Sequence, residues 1–265
     1  MKDINNKPLV SIITVVFNGE KYIENSIKSV LEQNYENIQY IIIDGASQDN
    51  TSNIIKKYQH AIDYYISEKD NGIYNAMNKG LKQAKGKYIA ILNADDYYNK
   101  NAVKHSIEAI EKNNFDYSYA NVRFENSTTT IRAIYPLKQG KIYQEMPYPH
   151  VSAFIKAEIY NKVGFFDEVY KIAADHDMAL KIHLAGYRGI YLDEEVARLE
   201  AGGVSASIKS NKESLKIAIK HGKNRFKAYI SFLSQISKIY IVKFLPNSIV
   251  DKILKLKKSR FGPII

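Results

Sequence analysis

Lys87-Tyr88-Ile89-Ala90-Ile91-Leu92-Asn93-Ala94-Asp95-Asp96 is an apolar run that ends abruptly in two adjacent carboxylates. Short apolar runs rich in β-branched residues form buried parallel strands, whose carboxyl ends present groups to ligands. Asp95 and Asp96 are therefore placed at a site. Neighbouring carboxylates repel unless something positive lies beside them, and a divalent cation carrying an anionic substrate supplies that charge. Taken alone, the pair is better described as a strand followed by a polar turn, because Asp is a common turn residue. The flanking sequence changes that balance.

Upstream, Leu9 to Phe17 is a β-rich apolar run stopped by Asn18-Gly19. Ile23, Ile27, Val30 and Leu31 then recur at helical spacing, and Asn34 marks the stop. A second strand, Ile38 to Ile43, ends in Asp44-Gly45-Ala46-Ser47-Gln48-Asp49-Asn50-Thr51, a loop leading into a helix with Ile54, Ile55 and Tyr58. A third strand, Ile62 to Ser67, leads through Glu68 to Gly72 into a helix from about Ile73 to Ala84. Four strand and helix alternations joined by short loops imply right-handed crossovers and a parallel sheet whose loops converge on one edge. Asp44, Asp70 and Asp95 share that edge. Independent turn roles explain each acid but not their common position.

Composition narrows the class. The chain has 265 residues, 45% of them hydrophobic, which is ample for a packed core in one large domain or two small ones. It has no cysteine, so a disulfide framework and a thiolate metal site are excluded. The first apolar run is short and follows Asp3, which suits a strand better than an export signal, so a cytoplasmic location is expected. The net charge of +10 is unevenly placed: from Ala206 onward there are 14 Lys and Arg against 2 acids, leaving 24 basic and 26 acidic residues before it. A near-neutral body argues against a nucleic-acid groove through the main domain.

These residues carry a resemblance. Val10 to Asn18, the Asp44 to Thr51 loop, Gly72-Ile73-Tyr74-Asn75-Ala76-Met77-Asn78-Lys79-Gly80 and Asn93-Ala94-Asp95-Asp96 together resemble the family 2 inverting glycosyltransferases of GT-A fold, over roughly residues 8 to 205. The resemblance implies an α/β fold, a Rossmann-like and mostly parallel sheet with helices on both faces. It implies that the donor is held by Val15, Phe17, Glu20, Asp44, Asp70, Gly72, Asn78, Lys79, Asn93, Ala94 and Asp95. In the family an Asp-any-Asp element holds a divalent cation, Mn2+ or Mg2+, on the donor diphosphate. Here the first acid of that element is Asn93, so Asp95 carries over as the metal ligand. By the same resemblance Asp44 would accept a hydrogen bond from the base, which suits the uracil N–H of a UDP-sugar.

Beyond Asn99 the organisation changes. A helix with Val103, Ile107 and Ile110 leads to an aromatic strand, Tyr117 to Phe124, then a polar turn and Ile131 to Tyr135. An antiparallel hairpin is expected, in what resembles the family's acceptor-binding half. Met146-Pro147-Tyr148-Pro149-His150 is a stiff loop, and His150 is either a structural hydrogen-bonding residue or part of the acceptor site. Ala173-Ala174-Asp175-His176-Asp177 opens a helix that runs to Gly186. Acids suit a helix start by themselves. The segment also resembles the family's second acidic motif, which aligns Asp175 with the catalytic base and leaves Asp177 as its competitor near the acceptor. Glu200 to Ser205 resembles a loop that closes near the donor.

The basic tail remains. Ala228 to Leu245 is interrupted by Ser, Gln235, Lys238 and Lys243, poor material for a spanning helix, which needs about 20 apolar residues. Ile249, Val250, Ile253, Leu254 and Leu256 recur at helical spacing beside Lys252, Lys255, Lys257 and Lys258. That pattern describes an amphipathic helix lying on a membrane surface, or equally one packed on the enzyme or on a homodimer partner.

The expected organisation is residues 1–205 as the GT-A domain, with 1–98 binding the nucleotide sugar, 99–205 the acceptor, and 206–265 a basic helical tail. The expected activity is metal-assisted transfer of one sugar, with inversion, from a nucleoside diphosphate donor to a hydroxyl of a glycan or lipid-linked glycan in cell-surface polysaccharide synthesis. A sugar nucleotidyltransferase would want a glycine-rich basic loop after the first strand, and Phe17-Asn18-Gly19-Glu20 is not one. A nucleic-acid-binding protein would bind polynucleotide without the tail, and a catalytically silent glycan-binding relative would fail to hydrolyse the donor.

Overall fold

The computed structural model describes residues 7–125, 130–133, 142–143, 146–200 and 207–244. Strand β1 (Val10–Val16) is buried along its whole length. It lies between β2 (Ile38–Asp44) and β4 (Tyr88–Asn93), parallel to both, in a register that pairs Val16 with Asp44 and Val15 with Asn93. Strand β3 (Tyr64–Ser67) extends the sheet parallel to β2. Ile13 and Val15 pack into one core with Tyr74, Met77 and Leu81, while Val10, Ile12 and Val16 pack into the other with Ile23, Ile27 and Val30. Successive side chains of a strand point to opposite faces, so a strand covered on both sides is mostly apolar.

The helices supply those covers. Helices α1 (Ile23–Leu31), α2 (Thr51–Lys57) and α4 (Ala102–Asn113) contribute to the second core. Helix α3 (Ile73–Gln83) contributes to the first and packs tightly on β1, since a Cβ on Gly80 would lie 2.3 Å from Ile13 Cγ2. Gly72 starts α3 at φ +113°, a conformation that favours glycine.

Past Asn99 the sheet becomes mixed, as the hairpin expectation requires. Strand β8 (Phe154–Lys156) is antiparallel to β4 and to β6 (Tyr117–Glu125), and β7 (Thr130–Ala133) is antiparallel to β6; the turn residues 126–129 lie outside the described residues. Strand β9 (Gly189–Glu200) runs parallel to β6 with a bulge around Asn121, and its end pairs antiparallel with β5 (Tyr97–Tyr98). A bulge adds local twist. The sheet thereby curls until β9 reaches the strand that follows Asp96. The order is β3-β2-β1-β4-β8-β6-β9-β5 with β7 beside β6, and six of these nine strands share one direction.

Helices α5 (Ala157–Val163) and α6 (Ala174–Leu184) cover the first core together with α7 (Ile208–Lys220), whose Ile217 is fully buried there. The first helix of the basic tail is thus packed on the body. Helix α8 (Arg225–Phe244) follows. Ala228 is buried, while Phe226, Tyr229, Ile230 and Leu233 are more than half exposed on one side. Among the described residues no helix is long and apolar enough to cross a membrane. The expected amphipathic helix of residues 249–258 and the loop after Glu200 lie outside the described residues.

Candidate active site

The loops after β1 and β2 are stitched together. Asn18 N donates to Ser47 Oγ at 2.8 Å, Gly19 N to Thr51 Oγ1 at 2.9 Å and Glu20 N to Asp49 Oδ2 at 3.0 Å. Glu20 Oε2 accepts in return from Asn50 N at 2.9 Å, which ties the two loops a fourth time. Asp44 is fully buried and accepts from Ser47 N and Oγ at one oxygen and from the Ser52 and Ser67 hydroxyls, at 3.1 and 2.6 Å, at the other. Its lone pairs are filled from within. The expectation that Asp44 faces the base is therefore corrected: Asp44 shapes the loop. The acid that does face the open space is Asp70, whose carboxylate lies over Gly45, where an added Cβ would meet Oδ2 at 2.5 Å.

That open space is a cavity of about 580 Å³ at the carboxyl edge of the sheet. Of the expected residues, Val15, Phe17, Asp70, Gly72, Asn93, Ala94, Asp95, His150 and Asp175 line it. Asn78 and Lys79 do not. Asn78 ties α3 to the Phe166 backbone and Glu168, and Lys79 pairs with Glu68 at 2.8 Å. Tyr74, Lys171 and Ile172 line the cavity although sequence reasoning missed them. Tyr74 falls inside the quoted stretch that opens α3, and that was the signal available.

Three consecutive residues at the start of α6 face three ways, as the helical turn of about 100° per residue requires. Asp175 looks into the cavity. Its Oδ1 accepts from His176 N at 2.8 Å and lies 3.2 Å from the Tyr74 hydroxyl, and its Oδ2 lies 3.5 Å from His150 Nδ1. Burial would raise the Asp175 carboxyl, but the hydrogen bond and charge of His150 outweigh it and hold the group below the ordinary carboxylate value. His150 is raised in turn: burial opposes its charge, and Asp175, Asp96 and Asp95 favour it. His176 is buried against the Ile142 carbonyl at 2.7 Å, and burial lowers its pKa so that it stays neutral. Asp177 is fully buried with Lys181, Lys220 and His221 at 3.0, 3.1 and 2.8 Å. Asp177 is therefore an internal ion-pair centre and not an acceptor-site residue.

At the end of β4, Asn93 Nδ2 donates to Asp96 Oδ2 at 3.2 Å and lies 3.3 Å from His150 Nε2. Asp96 is buried, and burial followed by the charge of Asp95 pushes its carboxyl up to about 7. Asp95 is exposed to the cavity. Asn93 Oδ1 is buried without a hydrogen-bond partner among the described residues. No cluster of three or more His, Cys, Asp or Glu among the described residues makes a protein-only metal cage. One carboxylate and one orphaned amide oxygen nevertheless fit a hard cation that takes its remaining oxygens from phosphate and water.

The cavity brings Asp70, Asp95, Asp175 and His150 to one space at the carboxyl edge of the sheet. Residues 11–168 match the family model described as Glycosyl transferase family 2. An uncharacterized glycosyltransferase of Rickettsia prowazekii is 32% identical over 208 residues, covering 74% of this chain and 64% of its own length, so the chain spans just under two thirds of that relative. A putative teichuronic acid biosynthesis glycosyltransferase of Bacillus subtilis is 35% identical over 118 residues, 43% of this chain and 47% of its own. Among solved structures, S. aureus TarS 1-349 in complex with UDP-GlcNAc superposes with a TM-score of 0.68 at 19% identity, over 86% of this chain and 71% of that one. A mannosyltransferase of Pyrobaculum calidifontis, in complex with GDP-Man and Mn2+, superposes with a TM-score of 0.64 at 18% identity, over 95% and 81%. These neighbours share the GT-A fold with this chain. With its motifs on the expected strand ends and its family match covering more than half its length, the chain belongs to glycosyl transferase family 2.

Proposed function

We propose that this protein moves one sugar, with inversion, from a UDP-sugar to a hydroxyl of a glycan or lipid-linked glycan in cell-surface polysaccharide synthesis. The observation that carries the reading is the chain of contacts from Asn93 through His150 to Asp175, which joins the strand end bearing Asp95 to the expected base within one cavity. Asp70 and the β1 end receive the nucleoside, and Asp95 with Asn93 Oδ1 would hold a divalent cation. When bound, that cation offsets charge on the departing diphosphate. The acceptor hydroxyl gives its proton to Asp175 while its oxygen bonds the anomeric carbon, and the bond from that carbon to the diphosphate oxygen breaks with its electron pair. His150 keeps Asp175 ionised beforehand, and Tyr74, its hydroxyl proton held by burial and by the charge of Asp175, orients it.

Residues 1–98 serve the donor and 99–205 the acceptor. The basic tail brings the enzyme to the cytoplasmic face of the plasma membrane, where each Lys or Arg near an anionic surface contributes about 1 kcal/mol. The relatives support this reading through a putative teichuronic acid enzyme and a UDP-GlcNAc complex of TarS. Thermal-shift titration with UDP, GDP and nucleotide sugars in Mn2+ tests the donor, because a ligand of the native state raises its melting temperature. Stronger stabilisation by GDP than by UDP overturns the choice of uridine.

A further inference from the structure

The helix that carries Asp175 has no side-chain cap of its own, because its N-cap is Ala173. The cap comes from the tail. Glu213 of α7 accepts from Lys171 N at one oxygen and from Ile172 N and Ala173 N at the other, each at 2.9 Å. Three consecutive amides converging on one carboxylate form an anion-holding nest, and the helix start beside it favours the same charge. The rest of that α7 face is also turned to α6. Ser214 Oγ lies 3.4 Å from His176 Nδ1, and Ile217 is buried in the core that includes Ala174 and Met178. Lys220 and His221 meet the buried Asp177. Residues 213, 217, 220 and 221 recur at spacings of three and four, which makes them one helix face.

The other side of the capped segment is a wall of the cavity. Lys171 and Ile172 line it, and the Ile172 carbonyl accepts from the Tyr74 hydroxyl at 2.7 Å, while that hydroxyl also lies 3.2 Å from Asp175 Oδ1. We propose that Glu213 is a positioning residue: by gathering the amides of residues 171–173 it fixes this strap and the first turn of α6, and so sets Asp175 against Tyr74 and His150. The proposal rests on the reading of Asp175 as the base. It gives α7 a second role, because the basic tail then supplies part of the active-site scaffold as well as positive charge.

The test uses the full chain and three variants. Glu213→Ala removes the carboxylate, and Glu213→Gln keeps one acceptor oxygen for three amides. Ser207→Ala is the control, since it removes the cap of α7 itself, where Ser207 Oγ accepts from Ser210 N at 3.2 Å. Amide hydrogen exchange at residues 171–173, donor affinity by calorimetry and single-turnover transfer are measured for each. In Glu213→Ala the three amides are expected to exchange at least about tenfold faster and transfer to fall about 10- to 100-fold, with donor affinity within about threefold, because a misplacement near 1 Å is costly to chemistry. Glu213→Gln falls between, and Ser207→Ala stays near wild type in all three readouts. Transfer unchanged in Glu213→Ala, or Ser207→Ala losing as much as Glu213→Ala, overturns the proposal. If Glu213→Ala does not fold, wild-type exchange and transfer in Glu213→Gln overturn it instead. Loosened amides in Glu213→Ala together with full transfer in Asp175→Asn reject the base assignment and leave the strap contact standing.

Discussion

As the proposed base, Asp175 would take a proton only if its carboxylate is ionised before the acceptor arrives, and His150 favours that state against the cost of burial. Asp95 is the proposed metal ligand, a role that suits an exposed carboxylate. Asp95→Ala should abolish metal-dependent donor binding in calorimetric titrations with Mn2+, while Asp96→Ala should weaken it less, since Asp96 is buried and already drawn toward its protonated form. Unchanged affinity in Asp95→Ala would remove that residue from the metal site. Asp177 makes a statement about stability. Burial would raise its pKa, but His221, Lys181 and Lys220 lower it on balance. A carboxylate lowered in the folded state contributes stability above its unfolded value, near 3.9, and loses it as pH falls through the folded value. Asp177→Asn should therefore cost about 3 kcal/mol at pH 7 in urea denaturation, with the gap narrowing below about pH 4. A gap independent of pH would contradict the ion-pair account.

At the scale of elements, α3 is held so close to β1 that Gly80 has no room for a methyl group. Gly80→Ala gains roughly 1 kcal/mol of helix propensity but overpacks the buried Ile13 by about 1–3 kcal/mol, so denaturation should show a net loss. A gain would show that the helix can withdraw. Strands β1, β2 and β4 were legible because they are buried on both faces and hence mostly apolar, and β6 with β7 because a polar turn separates two β-rich runs. Strand β9 was not, since Gly189–Glu200 carries Asp193, Glu194 and Glu195 on a half-exposed strand with no clean alternation. The two residues of β5 are too few for any periodicity. Of the cavity's lining, Asp95 and Asp175 were legible from a strand end and a helix start, while His150, on its stiff proline loop, was open to a purely structural reading as well. That Asp44 is bonded by its neighbouring loops while Asp70 lines the cavity was not legible, because it depends on which acid the serines of those loops reach. Glu213 was also hidden, being one acid in a basic tail whose partners lie some 40 residues upstream.

For the whole molecule, charge is unevenly placed: the body is near neutral, and the excess of Lys and Arg follows Ala206. The exposed Phe226, Tyr229, Ile230 and Leu233 of α8 lie at spacings of three and four, opposite the buried Ala228. An apolar face flanked by cations suits an anionic lipid surface. Full-length protein should co-sediment with vesicles containing phosphatidylglycerol, less so as salt rises, and Phe226→Ser with Leu233→Ser should weaken the binding several-fold. Salt-independent binding, or a dimer that the double variant dissociates, would assign that face to a second copy instead. In the proposed mechanism, transfer depends above all on one carboxylate, that of Asp175. The decisive measurement is single-turnover transfer from the nucleotide sugar that stabilises the protein most, compared among wild type, Asp175→Asn, Asp177→Asn and His176→Ala. A fall of about 10² or more is expected for Asp175→Asn with donor affinity retained, and milder losses for the other two. Near wild-type turnover in Asp175→Asn, with collapse in Asp177→Asn, would contradict that assignment.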